Sequence, residues 1–183
     1  MSNRTPDRQE GPGLRQRKGS ELLLSGPALV GLMRAVSDKG RHFRFCARGW
    51  SMFPFIKDGD VITIAPVRPG AEPCVRTCGI GHVVAFINPM NQRLVVHRII
   101  GRHKSGFLIM GDNTQRPVAE MVERDGILGR VVRIERGQQR VWLGLGPERY
   151  AIAVLSRAGM LLPVIARAEV LTRLLRRLYG TLN

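Results

Sequence analysis

Apolar positions in this chain change their period twice. Leu29, Met33 and Val36, with Val30 and Leu32 alongside, recur at helical spacing. Pro27 suits a first helical turn and Gly40 the position just past the last one, so the pattern predicts a helix over 27–39. From His42 the period falls to two, and Phe43, Phe45 and Ala47 share one face of a strand at 42–48. Short apolar runs at 61–65, 83–87, 94–100, 107–110, 127–134 and 140–143, parted by Gly, Pro and Asp, predict further strands. Strands this dense predict an all-β barrel or sandwich. After Pro147 and Glu148 the helical spacing returns and runs towards Leu178, with a bend expected at Pro163.

The chain therefore divides into four parts: a basic arm at 1–19 expected to be disordered, a helix and linker at 20–41, a β domain at 42–145, and a basic amphipathic helical tail at 146–183. The arm has no apolar run, so no cleavable signal peptide is expected. No stretch reaches about 18 uninterrupted apolar residues, the mark of a spanning helix.

Composition changes this picture in one respect. The 183 residues are 44% hydrophobic, enough for a core, but 29 Lys and Arg against 14 Asp and Glu leave a net charge of +15. The excess is spread over arm, β region and tail. It favours anionic partners, either acidic lipid headgroups or nucleic acid. Only 5% of residues are aromatic, which leaves few platforms for stacking single-stranded bases. In the tail, Arg157, Arg167, Arg173, Arg176 and Arg177 interrupt a leucine-rich pattern. Such a helix can lie in the headgroup layer of an anionic membrane, or pack on the β domain with its arginines solvated.

Three positions stand out chemically. Ser51 lies in Gly49-Trp50-Ser51-Met52-Phe53-Pro54, where a glycine allows a sharp turn and a proline would hold the following chain extended. A turn of this kind can project a hydroxyl and leave the Ser51 and Met52 region free to line an oxyanion hole and cleft. It can equally hold a serine bonded to its own backbone. His97 interrupts an apolar strand, with Val95 and Ile99 on its face and Arg98 on the other. It suits a general base, or a core histidine bonded to a carbonyl. Asp112, in Gly111-Asp112-Asn113, can orient such a base or simply cap a turn. Cys74, Cys78 and His82 follow one another at four-residue spacing, but a fourth ligand is not evident and no metal is expected there.

Read in order, these segments resemble the boxes of the signal peptidase I superfamily. The resemblance rests on Gly-x-Ser-Met-x-Pro, Ile-Lys-Asp-Gly-Asp, Gly-x-Val-Val-Ala-Phe, Val-His-Arg-Ile-Ile and Gly-Asp-Asn, and covers residues 43–134. It implies coiled antiparallel sheets of the signal-peptidase type, here with an N-terminal helix and a helical tail. It also implies a serine endopeptidase with a non-polar cleft for an extended peptide, without a cofactor. Ser51 would be the nucleophile and His97 its base, as in the endoplasmic-reticulum and archaeal members, with Asp112 as the third catalytic residue. The chain departs from the pattern at His82, which replaces the acid of the Gly-Asp-Val-Val box, and at Gly49, where relatives often carry a hydroxyl. The second Asp of eukaryotic relatives falls near Pro117 and Val118, with Glu120 and Asp125 further on. The family's N-terminal membrane anchor is not seen.

The expected partners are a protein or peptide substrate and an anionic membrane surface contacted through residues 150–179, giving a membrane-associated protein, with a cytoplasmic one as the alternative. The competing functions are an inactive peptide-binding relative and a basic nucleic-acid-binding regulator with a self-cleaving domain. Nucleic acid is the less favoured partner.

Overall fold

The computed structural model describes residues 26–67, 78–88, 90–114 and 118–180. The arm at 1–19, Cys74 and Pro117 lie outside the described residues. The chain is mainly β, with one antiparallel sheet curled into a half-barrel and three helices. Helix α1 is Gly26–Asp38, followed by strands β1 Phe43–Cys46, β2 Val61–Pro66, β3 Val83–Ile87, β4 Leu94–Arg102 and β5 Gly106–Met110. Strands β6 Glu120–Glu123, β7 Ile127–Arg136 and β8 Gln139–Val141 come next, and helices α2 Arg149–Arg157 and α3 Leu161–Gly180 end the fold.

The strand order is β1-β2-β7-β3-β4-β5-β6, with β8 also on β7. Ten-residue β7 is the spine: β2 pairs along one side, while β3 and then β8 share the other. Register shifts at Thr63/Ile64, Ala85/Phe86 and Ile99/Gly101 mark irregularities of the kind that sharpen twist. Between β7 and β8, Gly137 and Gln138 both take positive φ, the geometry of a tight two-residue hairpin turn.

The sheet is buried on both faces, which explains why β3 reads as an unbroken apolar run. Val83 and Ala85 join Met33, Phe43, Ile62, Ile64 and Ile134 on one side, with Leu29 and Val36 of α1 packed against them. Val84 and Phe86 join Ile99, Phe107, Ile109 and Val122 on the other. Helix α2 adds Ile152 beside Phe55 and Leu161, and Ala153 beside Ile100 and Met110.

Two expectations need correction here. The bend in the tail is at 158–160, not at Pro163: α2 and α3 meet at 119°. Gly159 supplies the positive φ that ends α2, at +68°. Pro163 sits in the first turn of α3, where a missing N–H costs no internal hydrogen bond. The second correction concerns β6, a strand for which no apolar alternation was evident.

No single helix among the described residues is long and apolar enough to cross a membrane; α2 and α3 together meet that test only as a bent pair. From Ala166 to Leu171 the residues of α3 are exposed, Val170 and Leu171 among them.

Candidate functional site

The loop between β1 and β2 carries Ser51 and is braced at its base. Ala47 N–H donates to the Asp60 carbonyl at 2.7 Å, and Gly59 N–H to the Ala47 carbonyl at 3.0 Å. Gly49 adopts φ +95°, a conformation costly for any side chain, and its N–H reaches Asp58 Oδ1 at 2.8 Å. The buried Asp60 carboxylate accepts from Lys57 N–H and from Arg136 Nε and Nη2, at 2.8, 2.9 and 2.7 Å. The Lys-Asp-Gly-Asp run thus fastens the serine loop to the end of β7. Past Ser51 the chain does not run extended as expected. It folds into successive turns, Phe53 N–H to the Trp50 carbonyl and Phe55 and Ile56 N–H to the Met52 carbonyl. Ser51 is exposed, whereas Met52 is buried and lines the adjacent cleft.

The turn after β5 clamps this loop. Asn113 N–H donates to the Ser51 carbonyl at 2.8 Å, and Asn113 Nδ2 to the Trp50 carbonyl at 3.1 Å. Gly111 is where the two segments touch: a β-carbon there would meet the Ser51 carbonyl at 2.7 Å and His97 Nε2 at 3.2 Å. Any side chain would therefore force the serine loop and the imidazole apart. Ser51 and His97 are brought together across this glycine, at one cleft of about 380 Å³ also lined by Leu29, Phe45, Leu94 and Val96.

His97 projects from β4 with its side chain 15% exposed and its ring 6.1 Å from that of Phe86. Burial lowers its pKa from 6.5 to about 4, so the imidazole is neutral at pH 7. Nδ1 is buried without a hydrogen bond and lies 3.6 Å from Glu120 Oε1. That gap is beyond hydrogen-bond length, but catalytic contacts often tighten only around substrate. The other Glu120 oxygen accepts from Asn88 Nδ2 at 2.8 Å. Asn88 is itself fixed, since its Oδ1 accepts from Met90 N–H and its backbone N–H donates to the Arg93 carbonyl, both at 2.9 Å.

Asp112 is seated elsewhere than expected. It faces Arg98, whose Nε and Nη2 donate to its two oxygens at 2.8 and 2.7 Å. Arg98 Nη1 donates to the Gly81 and Gly144 carbonyls, both at 2.8 Å. Successive residues of a strand point to opposite faces, so a carboxylate bound to Arg98 belongs to the face away from His97. Burial pushes the Asp112 carboxyl above its ordinary value, against the hydrogen bonds and charge of Arg98. Asp112 holds the Gly111–Asn113 turn in place, and the carboxylate beside His97 is Glu120. Asp125 is exposed in the turn that follows β6.

Asn88 did not stand out in the sequence. It sits in Asn-Pro-Met-Asn, which reads only as turn punctuation. No protein-family model matches the chain, and no curated protein matches it.

Proposed function

We propose that the chain is a serine endopeptidase of the signal-peptidase type, with Ser51 as nucleophile, His97 as base and Glu120 as the group that orients the base. The observation carrying this reading is the close approach at Gly111, where the backbone carbonyl of the exposed Ser51 and Nε2 of the neutral, strand-mounted His97 flank one glycine beside a cleft that both residues line. Glu120 takes the part that had fallen to Asp112 by default.

The chemistry follows from the ring's two nitrogens. A neutral His97 that carries its proton on Nδ1, towards Glu120, keeps a lone pair on Nε2, the nitrogen nearer the serine loop. Nε2 takes the Ser51 hydroxyl proton as Oγ bonds to the scissile carbonyl carbon. The carbonyl π pair moves to oxygen, where the Ser51 N–H can donate to it. The tetrahedral species expels the amine, which takes the proton from Nε2. Water then repeats the sequence and frees Ser51. Glu120 offsets the imidazolium charge in both halves.

The tail supports a lipid-facing arrangement. Tyr150, Val154, Met160, Val164, Val170 and Leu171 are all exposed, and Arg167 and Arg173 flank the last of them. This surface fits the interface of an anionic membrane better than a packed helix.

The deciding experiment is labelling with a fluorophosphonate probe, compared between the parent and Ser51→Ala. Stoichiometric labelling of the parent alone, together with cleavage of an extended peptide, is the expected result. An unlabelled parent that still binds peptide would indicate an inactive relative.

A further inference from the structure

The turn that leads from β8 into α2 leaves large apolar side chains in water. Trp142 is 68% exposed and Leu143 61%, and the two follow directly on the last residue of β8. Both line a groove of about 550 Å³, together with Val132, Val141, Leu145 and Pro147. Single exposed apolar residues are ordinary on any surface. A tryptophan and a leucine side by side on an apolar groove are the mark of an interaction surface.

The loop is fastened beside the helical end of the fold. Glu148 Oε1 accepts from Gly144 N–H and Gly146 N–H at 2.6 and 2.9 Å, which ties the loop to the start of α2. Gly144 takes φ +99°, and a β-carbon there would meet Cβ of Phe55 at 2.9 Å. Phe55 packs in turn with Ile152 of α2 and Leu161 of α3. Trp142 and Leu143 are thus joined to both helices through one shared cluster. On α2 itself, Tyr150 and Val154 are exposed and stand four residues apart, on one side of the helix.

The charges beside the rings select the partner. The guanidinium carbon of Arg140 lies 3.7 Å from the centroid of the Trp142 ring, and that of Arg149 lies 4.5 Å from the Tyr150 ring. Such a pair is amphipathic: the ring suits the acyl boundary of a bilayer, and the guanidinium suits the phosphate level above it. A protein partner would have to desolvate both guanidinium groups, whereas anionic headgroups supply their counter-charge in place. The net charge of +15 draws the molecule towards the same surface from a distance.

We propose that Trp142 and Leu143 form a second membrane contact, entering the interface of an anionic bilayer together with the exposed apolar side chains of α2 and α3. This contact rests on the lipid-facing reading of the tail and is independent of the peptidase chemistry. Two weak insertions act jointly, so that loss of either releases most of the protein.

The test uses the full chain. Trp50→Phe leaves Trp142 as its one tryptophan. Flotation with vesicles of phosphatidylcholine and phosphatidylglycerol in equal parts reads binding, and indole emission reads the surroundings of Trp142. A blue shift in the vesicle-bound protein, with quenching by brominated acyl chains, is expected. Leu143→Ala should weaken vesicle binding roughly tenfold, through lost apolar area, and Arg140→Gln roughly fivefold. Both variants should melt as the parent does, since both side chains are exposed. Protein that floats with an unshifted Trp142 emission, or a Leu143→Ala variant that binds as well as the parent, overturns the contact and leaves the tail reading standing. A parent that does not float overturns both.

Discussion

Arg98 and Asp112 meet through two parallel hydrogen bonds with neither side chain exposed to solvent. Taking one partner away strands the other charge in the interior, which costs about 3–5 kcal/mol. Asp112→Asn should therefore lower unfolding free energy by that order in urea denaturation. Replacing both partners, as Arg98→Met with Asp112→Leu, should return much of the loss, because a well-packed apolar pair avoids the desolvation cost. A fully stable Asp112→Asn protein would show that the pair is not closed to water.

Glu120 and Asn88 should affect turnover rather than folding. Glu120→Gln keeps the shape but removes the charge facing His97 Nδ1, and kcat should fall about a hundredfold or more with KM little changed. Asn88→Ala frees Glu120 to rotate and should cost roughly tenfold, with Asn88→Ser as a partial rescue. Steady-state kinetics on one peptide would check both. Normal turnover in Glu120→Gln would remove it from the mechanism.

In the proposed mechanism the titration of His97 sets the acid limit. His97, lowered by burial to about 4, stays neutral well below the usual imidazole range. The acidic limb of kcat/KM should thus fall near pH 4 rather than near 6.5. Stability follows the same sign: a depressed histidine favours folding fully above its unfolded value near 6.5, and that contribution fades as pH drops towards 4. His82 adds to the same window. Melting temperatures measured from pH 7 to 4 should decline across it. A limb at 6.5 would mean that the imidazole is hydrated.

Much of the fold was legible because its strands are apolar on a two-residue period or throughout, and Gly and Pro stand at their ends. Glu120–Glu123 was not, since an edge strand of four residues with glutamate at both ends has too little buried surface to show a pattern. Ser51 and His97 stand out by residue type and order, and the fold lines one cleft with both. The partner of His97 was not: Asp112 and Glu120 both follow β5, and only the sheet's faces decide which of them meets the ring. Pro163 misled for a related reason, because a proline in a first turn and one in mid-helix look alike until the preceding glycine's φ is known.

The tail makes a separate prediction. Removal of residues 161–180 should release the protein from vesicles containing anionic lipid while leaving the β domain folded, as read by flotation and by near-ultraviolet circular dichroism. Retention on vesicles after truncation would shift the membrane contact to another surface. Loss of the near-ultraviolet signal would show that α3 is a structural helix, its Leu161 and Ile165 being needed against Phe55.

The residue that faces His97 stands on the rim of the sheet. Strand β6 is zipped to β5 on one side only, through four pairs from Gly106–Glu123 to Ile109–Glu120. Rims fray before centres do, because fewer bonds must break to open them. His97 stands on β4, held between β3 and β5, while Glu120 rides on a four-residue edge strand. Under the proposed mechanism, warming should therefore end peptide cleavage at a lower temperature than it melts the sheet. Amide protons of β6 should exchange before those of β3 and β7.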